Sequence, residues 1–368
     1  MSSNGFEYVF PAIRGVQAQR EYYVSMCPLR LIPKIFLFDE EELVPELRAQ
    51  RSLNRNRIPE MMRYIVDNPQ DYVFSALTAS VDGDPRFEPL DPTDVEGRIG
   101  LLHVPMSTRF IINDGQHRRA AIEAALRESP DLADESIAVV FFIDHGLERC
   151  QQMFADLNRY AIRPSKSIGV LYDHRDPMAQ LSRLVVMRSE AFRDTVEMEK
   201  STLARRSRKL FTLSAIHTAT RAFLGTKLED DDIEPFVKSA VAFWDAVAKQ
   251  LPEWQAVRQG KMSAGEVRQD FIHSHSIALQ ALGHAGHDLL EVRPRAWKRS
   301  LDRLRTIDWS RSNTKTWEGR AMNGGRISKA GHNVALTTNV IKRVLDLELT
   351  PEEMRAEKAY QRGDEQKG

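Results

Sequence analysis

The stretch Arg109–Leu126, RFIINDGQHRRAAIEAAL, decides how the first part of this chain folds. Its apolar run Phe110–Ile112 is typical of a buried strand. Gly115 permits a tight turn directly after that run, and Asp114 can cap a helix that follows the turn. The alanines further on suit a helix that packs closely on a sheet. The stretch therefore predicts a strand, a one-glycine turn and a helix.

Three residues with basic side chains, His117, Arg118 and Arg119, fall in the first turn of the predicted helix. Unpaired N–H groups and the positive end of the helix dipole lie there, so cations destabilise the helix unless an anion joins them. This pattern predicts an anion site, best suited to phosphate, that uses Gly115, Gln116, His117, Arg118 and Arg119. The alternative interpretation is that the two arginines are solvated and that His117 is a structural histidine.

The DGQHR sequence of Asp114–Arg118, with two later blocks, resembles the DndB family of DNA sulfur-modification proteins. The later blocks are Phe154–Ser167, FADLNRYAIRPSKS, and Trp317–Asn333, WEGRAMNGGRISKAGHN. The resemblance implies a regulator that binds DNA and represses the genes for phosphorothioation, the replacement of a backbone oxygen by sulfur. DGQHR domains are in turn similar to the ParB and sulfiredoxin folds, in which a Gly-x-x-Arg turn binds nucleotide phosphate.

The composition is that of a globular protein with room for two domains. Of 368 residues, 52 are basic and 52 acidic, so any nucleic-acid surface must be a local patch. Cys27 and Cys150 are the only cysteines, which argues against a disulfide framework and predicts a cytoplasmic protein with free thiols. The first residues lack the pattern of a signal peptide, and we expect no membrane-spanning segment.

The pattern of elements changes along the chain. Strands and helices alternate up to residue 145, and Ile137–Ile143 is expected inside the sheet, in a β–α–β crossover around the turn. Helices are then predicted over 168–195, 202–224, 234–250, 263–290, 295–306 and 334–347. The predicted fold class is α+β, with a mixed α/β DGQHR domain, ParB/sulfiredoxin-like by resemblance, over 1–163. A mostly α-helical domain over 164–350 and a polar flexible tail over 351–368 follow.

The block Phe154–Ser167 supplies a candidate second wall for the anion pocket. Asn158 can hydrogen-bond a base or the turn, and Lys166 with its flanking serines can hold phosphate. The neighbouring arginines, Arg159 and Arg163, are equally well explained by the helix dipole, which favours basic residues at a helix C-terminus.

Two basic stretches are candidate DNA contacts. Lys200–Lys209, KSTLARRSRK, has five basic residues and no acidic one, and Arg293–Lys329 has eleven basic and three acidic residues. Basic side chains neutralise phosphates and release counterions. The tryptophans of the second stretch are assigned to a core rather than to stacking on bases. The candidate recognition helix is 202–224, and the candidate DNA contacts are Lys200, Arg205, Arg206, Arg208, Lys209, Arg311, Lys315, Arg320 and Arg326.

Three functions stay open on the sequence. The first is a regulator that binds double-stranded promoter DNA, as a homodimer or with other phosphorothioation proteins. The second is an enzyme that binds or hydrolyses a nucleotide, ATP or CTP with Mg²⁺, with Asp114 and His117 as catalytic residues. The third is a DNA-nicking enzyme with the same residues, although two-metal sites usually need several carboxylates. The histidine spacing does not predict a resident metal.

Overall fold

Two hydrophobic cores divide the chain into units Met1–Ile162 and Arg163–Gly368. The structure is a computed structural model and describes residues 6–36, 55–91, 97–144, 152–153, 156–157, 164–225 and 232–363. Among these residues, no helix has both the length and the apolar character needed to cross a membrane.

The first unit is built on a seven-stranded mixed sheet with the strand order β4-β5-β1-β2-β7-β3-β6. The strands are β1 (Glu7–Gln17), β2 (Arg20–Pro28), β3 (Leu77–Asp82), β4 (Arg86–Pro89), β5 (Ile99–Pro105), β6 (Arg109–Asp114) and β7 (Ser136–Ile143). The helices are α1 (Ile32–Ile35), α2 (Ile58–Val66) and α3 (Gln116–Glu128), with 3₁₀ turns at Leu29–Leu31, Arg55–Arg57 and Pro130–Asp134. Side chains of the sheet and of these helices share one core.

The strand, turn and helix predicted for Arg109–Leu126 are confirmed as β6, Gly115 and α3. The predicted crossover is wrong, because β3 lies between β6 and β7, antiparallel to β6 and parallel to β7. The strands on either side of α3 therefore run in opposite directions. Leu77, Ala79 and Val81 are fully buried, as is typical of a strand in the interior of a sheet with a covered face.

The second unit is helical apart from two short ladders, a parallel one of β8 (Val196–Glu197) with β9 (Phe211–Thr212) and an antiparallel one of β10 (Met322–Asn323) with β11 (Arg326–Ile327). Its helices are α4 (Lys166–Tyr172), α5 (Pro177–Arg188), α6 (Leu213–Leu224), α7 (Glu234–Ala248), α8 (Pro252–Arg258), α9 (Ala264–Asp270), α10 (Ser276–Val292), α11 (Trp297–Ser300), α12 (Thr314–Trp317), α13 (Gly331–Val344) and α14 (Pro351–Gln361). A 3₁₀ helix spans Leu301–Thr306. Helices α6 and α10 approach closely at Gly283, where a Cβ would lie 2.2 Å from the Ala219 carbonyl oxygen.

The predicted helix over 202–224 is only half present. Helix α6 begins at Leu213, after Thr212, whose side-chain oxygen accepts a hydrogen bond from the Ala215 N–H. The basic part of the predicted helix is instead a loop that ends in β9. A Thr cap with an extended backbone stops the helix there, and the apolar pattern alone did not reveal it.

Two further predicted helices are divided in the same way. The range 168–195 contains α4 and α5, because Asp176 caps α5 and Pro177 occupies its first turn. The range 263–290 contains α9 and α10, with a break that includes His275, the N-cap residue of α10.

The segment after residue 350 is a helix over Pro351–Gln361 and not the flexible tail that its polar composition predicts. Thr350 and Glu353 form a capping box at the start of α14. Further along, Glu357 is buried and accepts a hydrogen bond of 2.8 Å from Nη1 of Arg320. Composition does not reveal an ion pair between residues so distant in the sequence, so the tail prediction is corrected for these residues.

Candidate functional site

The DGQHR turn depends on the backbone of Gly115. This residue is buried and has a φ of 108°, in the left-handed half of conformational space. A Cβ on Gly115 would lie 2.4 Å from Cδ2 of Leu77. The turn therefore requires glycine for two separate reasons, its φ and its space. Asp114 does not cap the helix as predicted, because its carboxylate accepts a hydrogen bond of 2.5 Å from Nη2 of Arg118.

Arg118 ties the turn to the segment before β3. Its Nη1 donates to the carbonyl oxygens of Ser75, at 2.8 Å, and Ala76, at 2.9 Å. Its Nη2 pairs with Asp114. The side chain is only 12 % exposed, so contacts with protein replace the predicted phosphate contact of Arg118.

Arg119 is also a structural residue. Its Nε donates to the Phe36 carbonyl at 2.9 Å, its Nη2 donates to the Pro33 carbonyl at 3.3 Å, and its Nη1 pairs with Glu123. The guanidinium therefore connects α3 to the region of α1. The predicted phosphate contact of Arg119 is corrected, because each guanidinium nitrogen already has a protein partner and the residue is buried.

Gln116 and His117 are partly exposed, as is Asp114. The Gln116 amide donates to the Ile112 carbonyl at 3.3 Å. Partial burial lowers the pKa of His117 below its ordinary value, and the nearby cation of Arg57 lowers it further by a smaller amount. The carboxylate of Asp114 has the opposite effect on this pKa. This shift favours the neutral form of the His117 imidazole over the cation. A phosphate contact by either residue, and catalysis by Asp114 and His117, stay predictions.

A buried polar chain next to the turn was not predicted. The Asn113 amide donates to Oγ of Ser80 at 2.7 Å, and the Ser80 hydroxyl donates to Oδ2 of Asp144 at 3.0 Å. All three residues are buried. Asn113 lies in β6, Ser80 lies in β3, and Asp144 directly follows β7. The only signal in the sequence is a polar residue within an apolar strand. The chain of hydrogen bonds holds the three strands together beside the turn.

The predicted second wall is divided between two parts of the chain. Asn158 lies outside the described residues, and Lys166 begins α4 in the second unit, where it is exposed. Ser167 donates to the Lys200 carbonyl at 3.0 Å, and its own N–H donates to Oγ of Ser201 at 3.0 Å. These bonds place Lys166 near the start of the basic segment 200–209. Its grouping with the DGQHR turn stays a prediction.

Arg268 of α9 holds the basic segment 200–209, which we call the basic loop. Its Nη2 donates to the carbonyl oxygens of Ala204, at 2.9 Å, and Arg205, at 3.1 Å. Its Nη1 donates to the Ser207 carbonyl at 3.3 Å and also to that of Lys209. One half-buried guanidinium thereby orders a loop whose arginine side chains are exposed. This role of Arg268 was not predicted, since a single arginine in a helix carries no distinct signal in the sequence.

The two basic stretches meet at Gln269. Nη2 of Arg205 donates to the Gln269 side-chain oxygen at 3.0 Å, and Nη1 of Arg311 donates to the Gln269 carbonyl at 3.1 Å. Nη2 of Arg311 also donates to the Gly325 carbonyl at 2.8 Å, directly before Arg326. Segments far apart in the sequence therefore form one surface. We call it the basic surface, and its members are Arg205, Arg206, Arg208, Arg311 and Arg326. Lys315 is exposed in α12, and its contact with DNA stays a prediction.

Acidic side chains lie close to the basic surface, since Glu266 lines a cavity together with Arg205 and Arg206. Within the described part of the chain, no acidic residue forms an ion pair with any of its members, whereas Arg188 and Arg258 elsewhere in the same unit do have such partners. Lys200 is exposed at the start of the basic loop, and Lys209 donates to the Asp194 carbonyl at 3.0 Å. The zero net charge of the chain thus conceals a local excess of positive charge.

Arg320 is not part of this surface. It is buried, pairs with Glu357, and lies with its guanidinium carbon 4.2 Å from the centre of the Tyr360 ring. Its pKa is raised because the bonds and charge of Glu357 outweigh the effect of burial. The prediction that Arg320 contacts DNA is wrong, since the side chain serves to dock α14.

The tryptophans of the second basic stretch pack against the core. Trp309 and Trp317 are buried and stack with ring centres 5.3 Å apart, and Trp297 is half-buried against the same core. The indole N–H of Trp317 donates to the Asp308 carbonyl at 2.9 Å. The assignment to the core is confirmed, and the stacked pair supports the loop that carries Arg311.

Two histidines lie near the basic surface. His273 is buried, accepts a hydrogen bond of 3.0 Å from the Trp254 indole at Nδ1, and lies with Nε2 3.1 Å from Glu253. His275 donates from Nε2 to the Arg268 carbonyl at 2.8 Å. Burial lowers the pKa of His275 to about 4. The hydrogen bond to Arg268 acts to raise this pKa, and the cation of Arg311 acts to lower it further. Both rings are engaged in protein contacts.

We expect acid to destabilise the second unit between the ordinary pKa of histidine, 6.5, and the pKa of about 4 of folded His275. In that interval the unfolded chain binds more protons, so the free energy of unfolding decreases as the pH falls, by at most about 1.4 kcal/mol per pH unit. Urea denaturation followed by tryptophan fluorescence measures this slope. His275→Gln should reduce the slope, and exposed His174→Gln should not. Equal slopes in the two variants would contradict the assignment to His275.

Comparison with known proteins gives one match. A family model described as DndB, DNA-sulfur modification-associated, matches residues 10–348. No curated protein and no solved structure matches the chain. The matched range includes both the DGQHR turn and the basic surface.

Proposed function

The chain belongs to the DndB family of DNA-sulfur modification-associated proteins, and from this premise we propose that it is a double-stranded-DNA-binding regulator that represses the genes for phosphorothioate modification. The observation that carries the proposal is the convergence of two basic stretches at Gln269. A surface of this kind has the chemistry of a contact with the DNA backbone, because arginine and lysine neutralise phosphates and release counterions.

The anchoring of the basic loop favours binding. The Arg268 guanidinium donates hydrogen bonds to four backbone carbonyls of the basic loop. These bonds order the loop backbone in the absence of DNA. A preorganised loop loses less conformational entropy on binding than a mobile one. Arg206 and Arg208 are exposed on this ordered backbone, and among the described residues neither has an acidic partner that DNA would have to displace.

The basic residues suit positioning on DNA better than reading of its bases. They lie in the basic loop, in the turn at Arg311 and in the short strand β11 at Arg326, and not along one exposed helix. Arginine and lysine side chains are common contacts of phosphate oxygens, and such contacts set the register and orientation of a protein on the duplex. We therefore assign backbone contacts to the basic surface, and the element that reads the promoter sequence is not assigned to 202–224.

Fluorescence anisotropy with the promoter duplex of the neighbouring modification genes tests the proposal. We expect Arg206→Ala combined with Arg326→Ala to weaken binding about tenfold to a hundredfold, and to reduce the slope of log affinity against log salt by about 2. Lys238→Ala combined with Lys358→Ala is the matched control, since it removes two exposed positive charges outside the basic surface. Equal affinity and slope in the two double variants, or no preference for promoter over scrambled duplex, would contradict the proposal.

A nucleotide-handling enzyme is the competing hypothesis. Its predicted cations, Arg118 and Arg119, contact protein groups, so the described hydrogen bonds favour DNA binding. Turnover of ATP or CTP with Mg²⁺ that is lost in His117→Ala, and retained when Arg206 is replaced by alanine, would establish the enzyme instead.

A further inference from the structure

A groove in the second unit lies between the basic loop, α9 and the first residues of α10. Its volume is 460 Å³, within the range of small-ligand sites. The charged side chains that line it are Arg205, Arg268 and Lys329, and none of its described lining residues is acidic. The described cavities nearby differ in this respect, since acidic residues such as Asp245, Glu266 and Glu253 line them.

The ammonium group of Lys329 is available for a ligand. Lys329 is exposed at the groove, and no described side chain or carbonyl bonds to it. The guanidinium of Arg205 has one bond, to Gln269, and keeps its remaining donors. Two cations at one groove without a counter-ion repel each other, and an anion between them removes that repulsion.

The backbone adds to the positive potential. The capping residues of two helices, Thr212 before the 12-residue α6 and His275 before the 17-residue α10, both line the groove. The positive ends of both helix dipoles therefore lie at the same place. Lys329 and His275, the residue before α10, line the same groove, so the Lys329 cation adds to the positive potential at the start of this helix.

The rest of the groove wall suits an organic ligand rather than a bare ion. Leu203 and Ala215 line it and are partly exposed, and the hydroxyl-bearing residues Ser201 and Ser276 lie beside them. A site with cations, hydroxyl groups and an apolar wall matches a phosphate joined to an organic group.

We propose that this groove binds a phosphate ester, with Lys329 and Arg205 as its charged contacts. Arg268 is a positioning residue, because it holds the loop that carries Arg205. The ester is either a phosphate of the DNA backbone or that of a free nucleotide. The proposal rests on the proposed DNA-binding function only in the first case. The groove belongs to the second unit and the DGQHR turn to the first.

Calorimetry with pyrophosphate and with metal-free ATP, and anisotropy with the promoter duplex, test the groove. Adenosine is the uncharged comparison. We expect Lys329→Gln to weaken binding of the phosphate-bearing ligand about tenfold, as the loss of one charge-assisted hydrogen bond requires. Lys238→Gln, which removes an equally exposed charge from α7, should leave binding unchanged.

Each outcome either distinguishes a DNA-backbone phosphate from a free phosphate ester or contradicts the proposed binding site. Weaker binding of ATP in Lys329→Gln, without an effect on DNA, assigns the groove to a free phosphate ester, whereas weaker binding of pyrophosphate alone would overturn the assignment to an ester. Weaker DNA binding alone assigns it to the DNA backbone. If Lys329→Gln matches Lys238→Gln for every ligand, the groove proposal is overturned. Loss of DNA binding in the Arg206 and Arg326 double variant would then still support the regulator. Conversely, ATP binding that depends on Lys329, in a protein that does not bind DNA, would support the groove proposal and refute the proposed DNA-binding function.

Discussion

Glu357→Ala should lower the free energy of unfolding by about 3–5 kcal/mol, because it leaves the buried guanidinium of Arg320 without its counter-ion. Glu357 is 3 % exposed and accepts hydrogen bonds from Arg320 at 2.8 Å and from Asn339 at 3.2 Å. Arg343 lies 2.9 Å from the other carboxylate oxygen. Burial raises the pKa of Glu357, but these three partners outweigh it and hold the pKa below its ordinary value.

Urea denaturation followed by tryptophan fluorescence measures this loss. Glu352→Ala is the matched control, because Glu352 lies in the same helix and is 88 % exposed, and such changes typically stay within about 0.5 kcal/mol. The loss of free energy of unfolding in Glu357→Gln should lie between those of the two alanine variants, since glutamine keeps the shape of the side chain and lacks its charge. An effect of Glu357→Ala no larger than that of Glu352→Ala would mean that α14 is not docked through Arg320.

The sign of the pH dependence follows from the lowered pKa. A carboxylate with a folded-state pKa below its unfolded value stabilises the protein above the unfolded pKa, and the contribution disappears as the pH falls through the folded-state value. The difference in stability between the natural protein and Glu357→Gln should therefore be full at neutral pH and decrease below the ordinary pKa of 4.5.

Gly115→Ala should cost about 2–4 kcal/mol of stability. A φ of 108° costs an L-residue about 1–2 kcal/mol, and the new methyl group would lie 2.4 Å from Cδ2 of Leu77. Leu77 is fully buried in β3, so its movement disturbs the core, and overpacking of this kind costs about 1–3 kcal/mol.

Thermal or urea denaturation of Gly115→Ala and Gly169→Ala measures the effect. Gly169 lies in α4 with nothing within 4 Å of a built Cβ, so alanine there should be neutral or stabilising by about 0.5–1 kcal/mol. The double variant with Leu77→Ala should show favourable coupling, because the space left by the leucine accommodates the added methyl group. Gly115→Ala with the stability of the natural protein would show that the turn does not require glycine.

Prediction from the sequence succeeded best where the signal is local. The apolar run Phe110–Ile112 and the glycine after it predicted β6, the turn and the start of α3. Prediction of the order of strands failed, since β3 pairs with β6 and β7 across long separations. The helix over 202–224 was extended too far for a different reason, because the cap at Thr212 was not recognised.

For the candidate site, the sequence by itself determined where glycine, positive charge and apolar runs occur, because these properties act over a few neighbouring residues. It did not determine the roles of the arginines. Arg118, Arg320 and Arg206 were all predicted to contact a phosphate or DNA, yet the first two bond to Ala76 and Glu357 and the third is exposed. Only the tertiary structure decided this, because a guanidinium becomes structural when the fold brings distant acceptors within hydrogen-bonding distance, and otherwise stays available to a ligand.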